Sequence, residues 1–274
     1  MVDESRSSRD IIDGVFEDFD GQRFLFDASS LPSATYVKQP LDAFAVSNPE
    51  HHDVGDSFVW MPKRNAAKIA SMLSFEVMGA SPHARILIMR TPQAGQQEIC
   101  LKGPHARLLS LSASRMKYRA LLSGTSSLII GSRTFIGGAR ILLRDTDMSI
   151  GAGGLWSDEV VVQGTDQHGI ISLETGLPLN AGRKTVDIGR RVWVGRRAMV
   201  MKDISIGDGS IIGAGAVVAK SVPAASVAGG NPAKVIKSGV TWTHSPDGPL
   251  DFELPDLERL RGAELPSPLD APPT

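Results

Sequence analysis

The 274-residue sequence predicts an all-β fold, a parallel β-helix of short stacked coils. Three observations point there. From residue 188 the chain repeats every six residues. The composition pairs 28 glycines with only 5% aromatic residues, which suits a narrow core with many turns. Upstream of the repeat lie short β-rich runs separated by turn residues.

The hexads read IGRRVW, VGRRAM, VMKDIS, IGDGSI, IGAGAV and VAKSVP. Their first positions, Ile188, Val194, Val200, Ile206, Ile212 and Val218, are all aliphatic. With aliphatics at roughly a quarter of positions, six in succession arise by chance about once in a few thousand. Second positions are mostly glycine (Gly189, Gly195, Gly207, Gly213), and fifth positions are small or β-branched. Strand alternation sends positions one and five inward. Glycine at position two tolerates the bend at a corner. Three hexads close one triangular coil, so Ile188 should lie under Ile206 and Val194 under Ile212.

Along the chain, residues 1–65 show no repeat and form an N-terminal extension of unknown structure, either a cap or a partner-contacting segment. Residues 66–238 form the β-helix domain. Its irregular early coils, 66–125, contain MLSFEVMG, ARILIM, QEICLKG and ARLLSLSA. Two looser coils follow, SSLIIGSRTFIGGARILL and DTDMSIGAGGLWSDEVVV. Ile130 and Ile150 are one coil plus a two-residue insertion apart, and a strict register would put Arg140 and Asp166 inward, so it fails there. Residues 168–187 are a loop insertion, marked by Gly169, Gly176, Pro178, Asn180 and Gly182. Residues 239–274 are a tail. It holds a possible short helix in DLERLRGAEL and ends in LPSPLDAPPT, which reads as disordered.

Composition bounds the function. A net charge of −1 argues against a nucleic-acid or membrane-surface partner. No window reaches the ~18 consecutive apolar residues of a membrane span. MVDESRSSRD has no apolar h-region of a secretion signal. One cysteine, Cys100, excludes an internal disulfide and reads as a strand residue. A cytoplasmic protein fits.

The motifs VWVG (192–195), IGDGSIIGAGAVVAKSVP (206–223) and AGGNPAKVIK (228–237), in that order, carry a resemblance. From about 156 to 238 the chain resembles the hexapeptide-repeat acyltransferases, most closely their sugar and polysaccharide O-acetyltransferases. The resemblance implies a left-handed β-helix and a homotrimer with active sites between subunits. It also implies direct transfer from acetyl-CoA to a carbohydrate hydroxyl.

The candidate site starts at TDQH (165–168). Continuing the register through 150, 156 and 162 turns His168 inward as a core residue. The resemblance instead makes His168 the base that takes the acceptor's proton, and histidine suits this because its ordinary pKa of ~6.5 lies near working pH. Asp166 or Glu174 would orient it. Trp193, at position six, points outward, and the family's tryptophan there walls the site. Arg183, Lys184, Arg190, Arg191, Arg196, Arg197 and Lys202 form a basic run facing one acid, Asp187. That bias suits CoA phosphates or an anionic sugar, with Arg196 the chosen contact. By resemblance, Lys220, Lys234 and Lys237 contact the CoA phosphates, and the Ala214 amide meets the pantetheine arm. No metal is expected: His51–His52 lack a third ligand, and a zinc β-helix enzyme needs three histidines where 130–238 has only His168. N-acetylation of an amine and a non-catalytic assembly role remain alternatives.

Overall fold

A computed structural model describes residues 8–16, 32–44, 46–47 and 53–262. The fold is a parallel β-helix. One face stacks Tyr36–Pro40, Phe58–Pro62, Arg85–Ile88, Arg107–Ser110, Ser127–Ile130, Thr146–Ile150, Lys184–Ile188 and Ile204–Ile206 in that order. Only the first pairing is antiparallel. The opposite face begins as one broad sheet of Val46–Ser47, Leu73–Val77, Gln97–Lys102 and Met116–Ser123. The early coils therefore have two sides.

The third side appears within the strand Phe135–Arg144. Its register shifts between Ile136 and Ala139, at Gly137–Gly138. Beyond this bulge the two halves of the strand pair separately. Phe135 and Ile136 lead to Leu155–Trp156, Trp193–Val194, Ile211–Ile212 and Ser226–Gly230. Residues 139–142 lead to Val160–Gln163, Met199–Met201 and Val217–Val218. The bulge also resolves the failed hexad register: Arg140 is exposed while Ile141 and Leu143 are fully buried.

The regular coils follow the hexads. Ile188 pairs with Ile206 and Val194 with Ile212, and all six first positions and all six fifth positions are buried. Each buried aliphatic contributes about 1.5–3 kcal/mol. The role expected of the position-two glycines is corrected. The left-handed corner residue sits at position four, in Arg191, Arg197, Asp203, Gly209 and Gly215, and none of the position-two glycines has a positive φ. Those glycines are required by the next coil. A Cβ on Gly207 would lie 2.3 Å from the Ala224 nitrogen, and one on Gly195 would lie 2.6 Å from that of Ala214. Gly207→Ala is therefore expected to cost about 1–3 kcal/mol through overpacking. A thermal melt at the wild-type midpoint would contradict this reason for the glycine.

The β-helix starts earlier than the expected boundary at residue 66. Val37, Leu41, Val59 and Met61 share one continuous core with residues as distant as Val218 and Ala228. Within the extension, the helix Ser8–Phe16 buries Ile11 and Ile12 against Trp60, Leu87, Leu109 and Ile129, on the outer side of the first face. Those strands are thus covered on both sides, which removes the alternation that marks a half-exposed strand. Among the described residues no helix is long and apolar enough to cross a membrane. His51, His52 and the LPSPLDAPPT end lie outside the described residues.

The tail packs back on the coils as far as Gly262. Thr241 donates to the Gly209 carbonyl at 2.8 Å, and the Trp242 indole N–H donates to the Arg191 carbonyl at 2.6 Å. A helix, Leu254–Gly262, buries Leu257 and Leu260. Beneath it Arg191, 3% exposed, meets Glu253, 0% exposed, at 3.0 Å.

Candidate active site

The strand Val160–Gln163 ends at a corner, and the chain leaves the coil there. The buried Thr165 starts the exit: its hydroxyl accepts from the Gln167 amide at 3.1 Å. Gln167 takes a left-handed conformation, φ 61°. That turn aborts the register one residue before His168, so the imidazole is exposed rather than in the core. The carbonyl of Gln167 is held by Arg144 at 3.1 Å.

Residues 170–179 form a narrow finger, closed by the Ile171–Pro178 bridge and by the Leu179 amide donating to the Ile170 carbonyl at 2.7 Å. Asn180 ties its base together. The amide group donates to Asp166 at 2.6 Å and to the His168 carbonyl at 2.8 Å, and its oxygen accepts from the Ile170 amide at 2.8 Å. Lys202 on the next coil donates to both Asp166 oxygens at 2.6 Å. The Lys202 ammonium first, and the Asn180 amide second, hold the Asp166 carboxyl below the usual carboxylate range. Asp166 is thus a charged staple across the loop base near neutral pH.

His168 opens onto a cleft of about 230 Å³ lined also by Arg144, Asp145, Asp166, Asn180 and Lys184. A polar cleft with an exposed imidazole and fixed charges of both signs can bind a hydroxylated molecule and accept a proton from it. Of the orienting residues expected for His168, Asp166 spends both oxygens on Lys202 and Asn180. Glu174 is exposed at the finger's tip, in the turn closed by the Gly176 amide and the Ser172 carbonyl. The fixed element is the His168 backbone, through Asn180.

Trp193 faces outward, 39% exposed, but on a different face of the prism, paired between Leu155 and Ile211. It does not line the cleft that holds His168. Ala214 and Lys220 are exposed at the corners flanking Val217–Val218. Lys234 and Lys237 are exposed on Ala233–Ser238, which folds back antiparallel on Ser226–Gly230.

Stacking supplies most of the basic run with acidic partners. Six of its seven cations face acids from other segments: Arg183 with Asp147, Lys184 with Asp203, Arg191 with Glu253, Arg196 with Asp158, Arg197 with Glu159 and Lys202 with Asp166. Arg196, expected on CoA, lies 2.7 Å from Asp158. The partners Asp158–Arg196 and Glu159–Arg197 are 38 residues apart, one coil plus the loop. That offset was the available signal, since Asp158–Glu159 and Arg196–Arg197 are matching pairs. Arg144 and Asp145 line the cleft without a motif in the sequence to mark them. They enter because the Lys184 amide donates to the Asp145 carbonyl at 3.0 Å, placing both one coil below the loop's return.

Comparison with known proteins adds the following. The bacterial transferase hexapeptide model (six repeats) matches residues 185–220. The chain is 36% identical over 155 residues to a serine acetyltransferase of Mycobacterium tuberculosis, covering 56% of this chain and 60% of that protein. It is 35% identical over 133 residues to a polysialic acid O-acetyltransferase of Escherichia coli O1:K1 / APEC, covering 48% of this chain and 43% of that one. The chain thus spans about half the length of these relatives. Among solved structures, the polysialic acid O-acetyltransferase OatWY aligns at a TM-score of 0.53 with 25% identity, over 69% of this chain and 90% of that one. The polySia-specific acetyltransferase NeuO shares the fold at 0.53, with 23% identity over 70% and 96%. The shared fold is the left-handed parallel β-helix.

Proposed function

We propose that this chain, a carrier of the bacterial transferase hexapeptide repeat, is an acetyl-CoA-dependent O-acetyltransferase of sugar or polysaccharide hydroxyls. The observation that carries the reading is His168, turned out of the register into a polar cleft and held there by Asn180. The relative named for polysialic acid O-acetylation supports a carbohydrate acceptor.

In the proposed reaction the neutral His168 imidazole takes the acceptor hydroxyl's proton as its oxygen attacks the thioester carbonyl. The new C–O bond forms, the C–S bond breaks, and the imidazolium returns its proton to the CoA thiolate. No acetyl-enzyme is formed. Exposed Lys220, Lys234 and Lys237 are the proposed contacts of the CoA phosphates, and Ala214 offers its amide to the pantetheine arm. Among the described residues no group of three or more His, Cys, Asp or Glu is placed to hold a metal ion.

Because Trp193 and His168 occupy different faces, Trp193 walls the site only if a second copy supplies it. A homotrimer is the proposed assembly. The finger supports it: Ile170, Ile171, Leu173, Leu177 and Leu179 are each more than half exposed, an aliphatic surface suited to burial against protein. A cytoplasmic location goes with an acyl-CoA donor.

Transfer to an amine is separated from transfer to a hydroxyl by offering galactosamine beside N-acetylgalactosamine. The expected product is an alkali-labile ester on both. An alkali-stable amide on galactosamine alone would replace this reading with N-acetylation.

A further inference from the structure

The packed tail places a row of rings on the prism. Trp193 lies 6.3 Å from Trp242 between ring centroids, Trp242 lies 4.9 Å from His244, and His244 lies 5.3 Å from Phe252. Trp242 is buried and serves as backing. Trp193, the His244 side chain and Phe252 reach solvent, Phe252 at 56%. The row is fixed from beneath. The Arg191 guanidinium lies 4.8 Å over the Trp242 ring and donates to the Trp242 carbonyl at 2.9 Å. The imidazole of His244 is 2.9 Å from buried Glu253.

Exposed tryptophan and phenylalanine held rigidly at a surface mark a recognition site. Among the described residues the finger and the ring row, with Leu250 and Leu254 flanking Phe252 in sequence, are exposed apolar clusters of different chemistry. The finger is aliphatic, which suits protein. The row is aromatic and includes one hydrogen-bonding ring, His244. A pyranose presents a matching surface: an apolar C–H face to lie on a ring and hydroxyls to meet the imidazole. His244 and Phe252, the two neighbouring rings that are both exposed, lie 5.3 Å apart and tilted by 58°, close enough for one sugar to meet both. The row also continues from Trp193, the residue proposed above to wall the site.

We propose that Trp193, His244 and Phe252, backed by Trp242, form a carbohydrate platform that holds sugar rings of an oligomeric acceptor and favours oligomers over monosaccharides. This rests on the carbohydrate-acceptor reading, so binding is measured apart from turnover. The full chain is titrated, without acetyl-CoA, with maltoheptaose and with an α2,8-linked sialic acid hexamer, reading tryptophan emission. At least one oligomer is expected to change it saturably, and the matching monosaccharide to bind about tenfold more weakly. Neutral and anionic oligomers distinguish an uncharged from a charged acceptor.

Phe252→Ala should weaken oligomer binding about tenfold, the size of one lost ring contact, and Phe252→Trp should restore it. With a transferable acceptor, Phe252→Ala should raise the KM for the oligomer about tenfold and leave kcat and the KM for acetyl-CoA unchanged. Saturable oligomer binding with no transfer to any acceptor would uphold the platform while the enzymatic reading fails. Silence with both oligomers, or unchanged oligomer affinity in Phe252→Ala, would overturn it. A change in oligomeric state on Phe252→Ala would overturn it too, since the row would then be covered by a second copy.

Discussion

Replacing His168 with alanine is expected to lower acetyl transfer about 10²–10⁴-fold, the usual contribution of a positioned general base, with CoA affinity unchanged. The imidazole is exposed and belongs to no core cluster, so its removal leaves the coils intact. Asn180 holds the loop through the His168 carbonyl, which alanine retains. A fall in transfer is therefore attributable to the lost base rather than to a displaced loop. His168→Gln should be as slow, because glutamine hydrogen-bonds but does not accept the proton. Calorimetry with CoA and a thermal melt on both variants check that binding and folding are preserved. Near wild-type turnover in either variant would remove His168 from the mechanism.

The largest expected effect on stability is at Glu253. Glu253→Ala leaves the buried Arg191 guanidinium without its close carboxylate, with only Asp256 at 3.8 Å, and breaking such a buried pair costs about 3–5 kcal/mol. For a chain of this size that lowers Tm by roughly 10 °C. The pH dependence has a definite sign. Burial opposes the charge on Glu253, but hydrogen bonds from the Leu250 amide, His244 and Arg191 outweigh it and hold the pKa at about 2, below its ordinary 4.5. A carboxyl that binds protons more weakly folded than unfolded adds stability above its unfolded pKa, and that stability is lost as pH falls through the folded one. Wild-type Tm should thus drop between about pH 4.5 and 2. Glu253→Gln should start lower and flatten over that window. Equal slopes in the two proteins would show that Glu253 carries no such linkage.

Where each coil has three short sides, the fold was legible. Ile188 to Val218 repeat because the first position of every hexad is buried and stacked on its equivalent, and the structure pairs them as the period demands. The early coils were legible only as β-rich runs. Their sides are broader, their outer surface is covered by Ser8–Phe16, and no six-residue period survives. The start of the β-helix was hidden for the same reason, since Phe58–Pro62 is a fully buried run with no alternation to read.

The candidate site was legible one residue at a time. His168 and Trp193 could be singled out by motif and register, but which face each occupies depends on how the coils close. Charge was the least legible property. A run rich in arginine looked unpaired because its acids lie on other segments, 38 residues away in two cases. The loop's staples were invisible for a related reason. Lys202 reaches Asp166 only once the 20-residue excursion returns to the same corner.

The measurement that tests the central claim most directly is transfer of a trideuteroacetyl group from acetyl-CoA to a carbohydrate panel, with the products read by mass spectrometry. The expected result is an acetyl ester at a sugar hydroxyl, formed by the wild-type chain and lost in His168→Ala. Equal ester formation by the two proteins, or no acetylated carbohydrate from a wild-type chain that binds CoA, would contradict the account.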